Sequence, residues 1–351
     1  MVNFRNIVMK RYRVGIIGCG NIFLMHAQSL VKTPGVTIGS VCDIKPLRAK
    51  KAAKRYHCKA YFSYKKMLDA EDLDAVHILT PHYLHAEMTI EAAKRKIHVL
   101  CEKPIAITPK DAQRMIDTCK KNKVKFSVIS QNRYNPGSQL VKKTLSRGKL
   151  GKIKAARLIV SYHKPDSYYK KSDWKGTWDK EGGGVLIDQS IHFIDVLQWL
   201  IDDKVDYIDA NIDNRMHNSV EVEDLAEGII KFKKGTYICF YLTNYYSYDD
   251  DPKMELDCEK GRVSIVKDSA RVGLYSGKVL KASPRPGQYI NYGRGVKDYW
   301  GFCHFIQIKE FYSALRKGRD PEINGIEAKK TLKVVSSIYK SAKEGKRIYF
   351  R

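Results

Sequence analysis

Residues able to do chemistry concentrate in two stretches of this chain. One is Glu181-Gly-Gly-Gly-Val-Leu-Ile-Asp188-Gln189-Ser-Ile-His192-Phe-Ile-Asp195, which runs on to Trp199-Leu200; the other is Glu102-Lys103-Pro104. Asp188 and His192 lie four apart in an apolar-periodic run, so a helix would project both from one face, with Asp195 and Trp199 continuing the stripe. A carboxylate there can fix the tautomer of an imidazole that moves a proton. The same spacing suits a polar seam in a half-buried helix, with His192 merely satisfied, and spacing alone favours that plainer reading. Lys103 ends a short apolar run, so it is either an amine at a strand end facing a ligand or a lysine in an exposed turn.

The elements that must position these residues begin with an apolar run at 13–17, then Gly18-Cys-Gly20-Asn21-Ile22-Phe23, then a helical pattern to Leu30. Strand, glycine turn and helix start together make an anion site suited to a pyrophosphate. A second strand at 36–42 ends in Asp43, 23 residues beyond Gly20, where a dinucleotide fold places the acid that holds ribose hydroxyls. Phe23 stands where the third glycine of G-x-G-x-x-G would be, so the strict fingerprint fails. Apolar runs at 61–62, 75–79, 97–101 and 124–130 alternate with helical patterns, which predicts a parallel, doubly wound sheet. Gly18, Asp43, Pro81 and Lys103 then fall at the carboxyl ends of strands, where such sheets bind ligands.

After Gln131-Asn-Arg133-Tyr-Asn-Pro136 the pattern changes. We expect a Rossmann dinucleotide-binding domain over 1–131 and a substrate-binding, oligomerising α+β domain with a large, mostly antiparallel sheet over 132–351. A helix is expected at 138–146 and strands at 153–162, 207–216, 225–233 and 236–246. Strands at 254–258 and 262–266 and helices at 302–316 and 326–342 complete the reading. Both faces of 236–246 are apolar or aromatic, so helices on one side and a second subunit on the other are expected covers. The irregular aromatic stretch Tyr168-Tyr169 to Trp174-Lys-Gly-Thr-Trp178 has the composition of a pocket wall. A Pro/Gly-rich loop at 283–295 brings Tyr289, Tyr292 and Arg294 as further candidates near a substrate.

Composition narrows the classes. The 351 residues suffice for two cores, and no apolar run of spanning length occurs, so no membrane partner is expected. The N-terminus lacks the pattern of a secretory signal, and Met9 offers a second start that would make the first eight residues an extension. The eight cysteines are scattered, as expected of reduced thiols in a cytoplasm. His82 with His85, or Cys303 with His304, lack a second ligand pair, so no metal is expected. The net charge of +26 is spread in short runs without interleaved aromatics, which argues against nucleic acid and suits an anionic small substrate.

Taken together, Gly18-Cys-Gly-Asn-Ile with His26, the helix after Thr80-Pro81, Glu102-Lys103-Pro104, the segment 182–192 and Ser341-Ala-Lys-Glu-Gly345 resemble the Gfo/Idh/MocA family of glucose–fructose oxidoreductase and inositol dehydrogenase. The resemblance runs nearly end to end and implies an NAD(P)-dependent sugar dehydrogenase that works as a homodimer or homotetramer. It implies catalytic roles for Lys103, Asp188 and His192: His192 as base, Asp188 orienting it, Lys103 stabilising the alkoxide. It places the cofactor against Gly18, Gly20, Asn21, Ile22, Asp43, Thr80, Pro81, His85, Glu102, Lys103 and Arg133. It places the substrate against Lys103, Tyr168, Trp178, Gln189, His192 and Asp195. Asp43 favours NAD, while Lys45 and Arg48 leave NADP open. The aromatic stretch and Gln189-Ser-Ile also look like enzymes that oxidise the third carbon of UDP-linked N-acetylamino sugars or their uronic acids, and an anionic sugar or nucleotide sugar would suit the charge. Relatives of this fold also include redox-assisted glycosidases and non-catalytic NAD(P) sensors; Lys103, Asp188 and His192 together argue against a sensor.

Overall fold

A computed structural model describes residues 10–285, 290, 292 and 303–350. Tyr289 and Arg294, the first nine residues and the start of the helix expected at 302 lie outside the described residues. The first half alternates as expected: β1 (Tyr12–Ile17), α1 (Phe23–Val31), β2 (Val36–Cys42), α2 (Pro46–Tyr56), β3 (Lys59–Tyr61), α3 (Tyr64–Ala70), β4 (Ala75–Ile78), α4 (His85–Lys94), β5 (His98–Cys101), α5 (Pro109–Lys121) and β6 (Phe126–Val128). The strands form a parallel sheet in the order β3-β2-β1-β4-β5-β6. Order reverses between β1 and β4, so a crevice opens there beyond the strand ends. Both faces of the sheet are covered, which is why β4 reads as four buried residues in a row.

The second half runs α6 (Pro136–Ser146), β7 (Ile153–Ser161), α7 (Asp166–Lys170), a π-helical segment (Val185–Ser190), α8 (Ile191–Ile201), β8 (Val205–Asp213), β9 (Leu225–Phe232), β10 (Tyr237–Thr243), β11 (Lys253–Cys258), β12 (Gly261–Val266), β13 (Ser269–Leu274) and β14 (Val279–Ala282). Then come α9 (His304–Arg316), α10 (Gly325–Glu344) and β15 (Ile348–Tyr349). Nine strands form one sheet in the order β14-β13-β12-β11-β7-β10-β9-β8-β15. Only β7 and β10 pair in parallel, so the sheet is mostly antiparallel. The short strands β13 to β15 and the one-turn α7 had no clear periodic signal. On β10, Ile238, Phe240 and Leu242 are buried, while Tyr237 and Cys239 stand exposed in the single chain.

The chain also crosses the division expected at residue 131. Helix α9 returns to the first sheet, where Ile308, Phe311, Tyr312 and Leu315 share a core with Phe23, Ala27 and Leu30. Gln307 on α9 holds the end of β6: its amide donates to the Val128 carbonyl at 2.8 Å and its oxygen accepts from Ser130 N at 2.9 Å. Helix α8 buries Phe193, Val196, Leu197 and Leu200, each contributing about 1.5–3 kcal/mol of apolar burial. That anchored helix and the end of β5 are the rigid elements that bring the two chemistry-bearing stretches together.

Candidate active site

The three-glycine run is a packing necessity. Gly182 (φ +85°) lies against Ile107, Gly183 (φ +141°) against the Tyr339 hydroxyl, and Gly184 against the Glu223 carbonyl; a Cβ on any of them would collide. Glu223 caps the helical turn that begins there. Its carboxylate accepts from Gly184 N (2.8 Å), Leu186 N (3.0 Å) and the Tyr339 hydroxyl (3.0 Å). With the helix start pinned this way, Val185–Ser190 winds as a π turn before α8 begins.

The wider turn changes which residues meet. Lys103 Nζ donates to the Asp188 carbonyl at 2.7 Å and to Asp188 Oδ1 at 2.9 Å. The Oδ2 atom accepts from Lys175 Nζ (2.5 Å), Gln189 Nε2 (2.7 Å) and the Tyr168 hydroxyl (3.0 Å). Burial alone would raise the Asp188 pKa, but Lys103 and Lys175, and after them His82, hold it well below the usual carboxylate range. No hydrogen bond joins Asp188 to His192 among the described residues. The expected orienting role of Asp188 therefore falls on Lys103, because the π turn and the two lysines use up the carboxylate.

His192 lies beside Lys103, partly open to solvent, along a small cavity it shares with Pro104, Ser130, Ile191 and Thr331. Desolvation, and then the Lys103 charge, lower its pKa to about 3, so the ring is neutral at physiological pH. His82 stands on the other side of Asp188, with Nε2 3.7 Å from Oδ1 and Nδ1 donating to the Glu181 carbonyl at 2.8 Å.

Of the residues expected at the cofactor, Gly18 (φ +100°) could not carry a Cβ without meeting the Leu79 carbonyl at 2.6 Å, while a Cβ on Gly20 would meet nothing within 4 Å. That is close strand packing beside open space, with the exposed Asn21 and the half-buried Ile22 on the same turn. Phe23 in the third-glycine place turns inward and meets Tyr56 edge to face at 5.7 Å, so it leaves the turn itself unobstructed. Asp43 is buried at the end of β2, where Oδ2 accepts from Cys19 N and Oδ1 from Lys45 N, both at 2.8 Å. The carboxylate is thus fixed beside the glycine turn with lone pairs to spare. An adenosine ribose and a pyrophosphate fit these residues.

Other expected contacts prove to be supports. His85 is fully buried between the Thr80 carbonyl (2.9 Å) and the Pro104 carbonyl (2.7 Å) and stitches the end of β4 to the Glu-Lys-Pro turn. Glu102 is held by His26 at 2.8 Å and His304 at 3.4 Å, and its Oε2 accepts from Lys103 N at 3.2 Å. Burial would raise its pKa; the bonds from the two histidines hold it well below the usual range. His26, Glu102 and His304 are the one trio of metal-ligand type among the described residues. A chain of bonds runs from Glu102 through His26 and His77 (2.9 Å) to the Tyr312 hydroxyl (3.0 Å). Arg133 makes a bidentate pair with Asp195 (2.7 Å twice), which also accepts from Thr331 at 2.9 Å. These two therefore lock the turn Gln131–Tyr134 and α8 to α10, a use neither was given from the sequence. Trp178 points elsewhere, its indole donating to the Glu221 carbonyl at 2.9 Å; Trp174 takes the inner place, edge-on to His82 at 4.7 Å. Tyr292 packs on α1, its carbonyl accepting from Gln28 at 2.8 Å. Sequence reasoning gave no role to Lys175, Glu181 or Glu223, although Glu181 opened one of the two stretches and Lys175 lay in the aromatic one.

The sequence and the fold have counterparts in known proteins. Residues 12–130 match the model of an oxidoreductase family with an NAD-binding Rossmann fold, and residues 138–264 match the GFO/IDH/MocA C-terminal domain. The myo-inositol 2-dehydrogenase of Thermotoga maritima is 23% identical over 95% of this chain and 96% of its own. The WlbA dehydrogenase of Chromobacterium violaceum, solved with NADH and UDP-GlcNAcA, is 28% identical, covering 100% and 99% of the two chains with a TM-score of 0.85. The Bordetella pertussis WlbA, solved with the same two ligands, is 26% identical over 97% and 99%, with a TM-score of 0.84. The chain belongs to the Gfo/Idh/MocA family of NAD-binding oxidoreductases.

Proposed function

We propose that this protein is an NAD-dependent dehydrogenase that oxidises a secondary hydroxyl, the third carbon of a UDP-linked N-acetylamino sugar or its uronic acid. The observation that carries the reading is the Lys103–Asp188 pair, set with His192 beyond the end of β5, the neighbour of the β4 strand that borders the crevice. Likeness to two nucleotide-sugar dehydrogenases over essentially the whole chain, and the net charge of +26, support the substrate class.

Bound NAD supplies the hydride acceptor. The chain's own residues do the rest. Asp43 accepts from the adenosine ribose, and the turn at Gly20 leaves room for the pyrophosphate. Neutral His192 takes the hydroxyl proton as the carbon loses hydride. The Lys103 ammonium, fixed by the two bonds it donates to Asp188, stabilises the charge that develops on oxygen. The open face of β10 is best covered by a second copy, which makes a homodimer or homotetramer part of the proposal.

The test is incubation with NAD and a panel of UDP-N-acetylglucosamine, its uronic acid, UDP-glucose, myo-inositol and glucose, following NADH absorbance. Net NADH from a UDP-N-acetylamino sugar is the expected result. NADH only from the unlinked sugars would overturn the substrate class. Glycoside cleavage without net NADH, or binding without turnover, would overturn the dehydrogenase itself.

A further inference from the structure

Four groups of alternating charge run through the site: Lys103, Asp188, Lys175 and Glu181. Lys175 Nζ reaches Asp188 Oδ2 at 2.5 Å and Glu181 Oε1 at 3.1 Å, and its side chain is only 15% exposed. The ammonium also lies over the rings of Trp174 (4.6 Å) and Tyr168 (4.9 Å). Glu181 is fully buried and takes Gly176 N at 2.5 Å. Gly176 itself (φ +79°) is pressed against Val220, which fixes the loop that carries Lys175. A buried lysine with this many fixed partners is held for a purpose, since burial without them would strip its charge.

We infer that Lys175 is a positioning residue: by sharing the Asp188 carboxylate with Lys103, it governs how firmly Lys103 keeps its charge at the reacting carbon. The inference rests on the reading of Lys103 and Asp188 as the hydride-transfer site. Lys103 and Lys175 sit on the two oxygens of one carboxylate, so their like charges repel and each weakens the carboxylate's hold on the other. The other titratable groups facing the pair are His82, Glu102, Tyr168, Glu181 and His192, with Tyr169 behind. Burial opposes the Lys175 charge, but Asp188, then Tyr168 and Glu181, hold its pKa well above the usual lysine value, so it remains a cation throughout. Glu181 is pushed up to about 7 by burial against the pull of Lys175.

Trace acetylation with acetic anhydride, read by mass spectrometry against an exposed lysine, reports the uncharged fraction of Lys103 and requires no substrate. Lys175→Met keeps the stem and removes the charge; Lys103 should then label about tenfold more slowly. Lys175→Arg should restore the wild-type rate. Glu181→Gln should move the rate the other way, because Lys175 then leans wholly on Asp188; it also serves if Lys175→Met fails to fold. Equal or faster labelling in Lys175→Met, or slower labelling in Glu181→Gln, would overturn the inference. Failure of the underlying reading is a separate result: undiminished NADH formation in Lys103→Ala, whatever the labelling shows.

Discussion

Lys103 grips Asp188 twice, through the backbone carbonyl at 2.7 Å and the side-chain oxygen at 2.9 Å. Asp188 lies within the π turn that opens the helix, and the double contact fixes the amine in direction as well as distance. Under the proposed mechanism Asp188 acts through Lys103, independently of His192, to which no hydrogen bond joins it among the described residues.

That independence can be measured. Lys103→Ala should lower turnover at least about a hundredfold with NAD affinity nearly unchanged, because charge stabilisation on oxygen is needed only in the transition state. Asp188→Asn should resemble it, and combining the two should add little, since both act on one element. Additive losses in the double variant would show that Asp188 has a separate partner.

Replacing His192 by Asn should cost about a hundredfold in turnover, the lower scale of a general base, while leaving the melting temperature close to wild type. The ring has no hydrogen bond among the described residues to lose. A large fall in stability with intact specific turnover would return His192 to a packing role.

The Asp43 carboxylate, fixed by two backbone donors, should accept from a ribose and repel a 2′-phosphate. NAD should bind more tightly than NADP, and Asp43→Ala should weaken NAD about tenfold or more and narrow the gap. Tighter binding of NADP by the wild type would remove Asp43 from this role.

Glu223 gives a pH-dependent stability with a definite sign. Burial raises its pKa from 4.5 to about 7, against the hydrogen bonds that lower it. A carboxyl raised on folding binds its proton more tightly in the native state. Its contribution is full below the unfolded value and is lost as pH rises through the folded value. Between those limits the loss is about 3 kcal/mol. Denaturant unfolding should show this decline in the wild type and a flatter profile in Glu223→Gln. Equal slopes in both would mean Glu223 ionises freely in the fold.

Gly183→Ala should destabilise the fold by about 2–4 kcal/mol, because the left-handed backbone is strained for alanine and the new methyl meets the Tyr339 hydroxyl. Adding Tyr339→Phe should recover part of that loss. No recovery would place the cost in the backbone alone.

The sequence by itself determined the parallel first sheet and the glycine turn with Asp43, from local pattern: runs of buried β-branched residues, punctuated helices, and residue types that serve one use at a strand end. That the Glu102-Lys103 stretch meets the segment after the three glycines was implied only by the family resemblance. What only the tertiary structure decided is how the second stretch winds and whom it meets. Periodicity could not distinguish a π turn from an α turn over six residues, because the cause is Glu223, more than 30 positions downstream, capping Gly184 and Leu186. Lys175 came from a loop with no periodic signal, Arg133 and Asp195 found each other 62 residues apart, and α9 closed on α1 from the far end of the chain. Each is a long-range match of charge or shape, and such matches are set by how elements pack, not by the spacing of residues along any one of them.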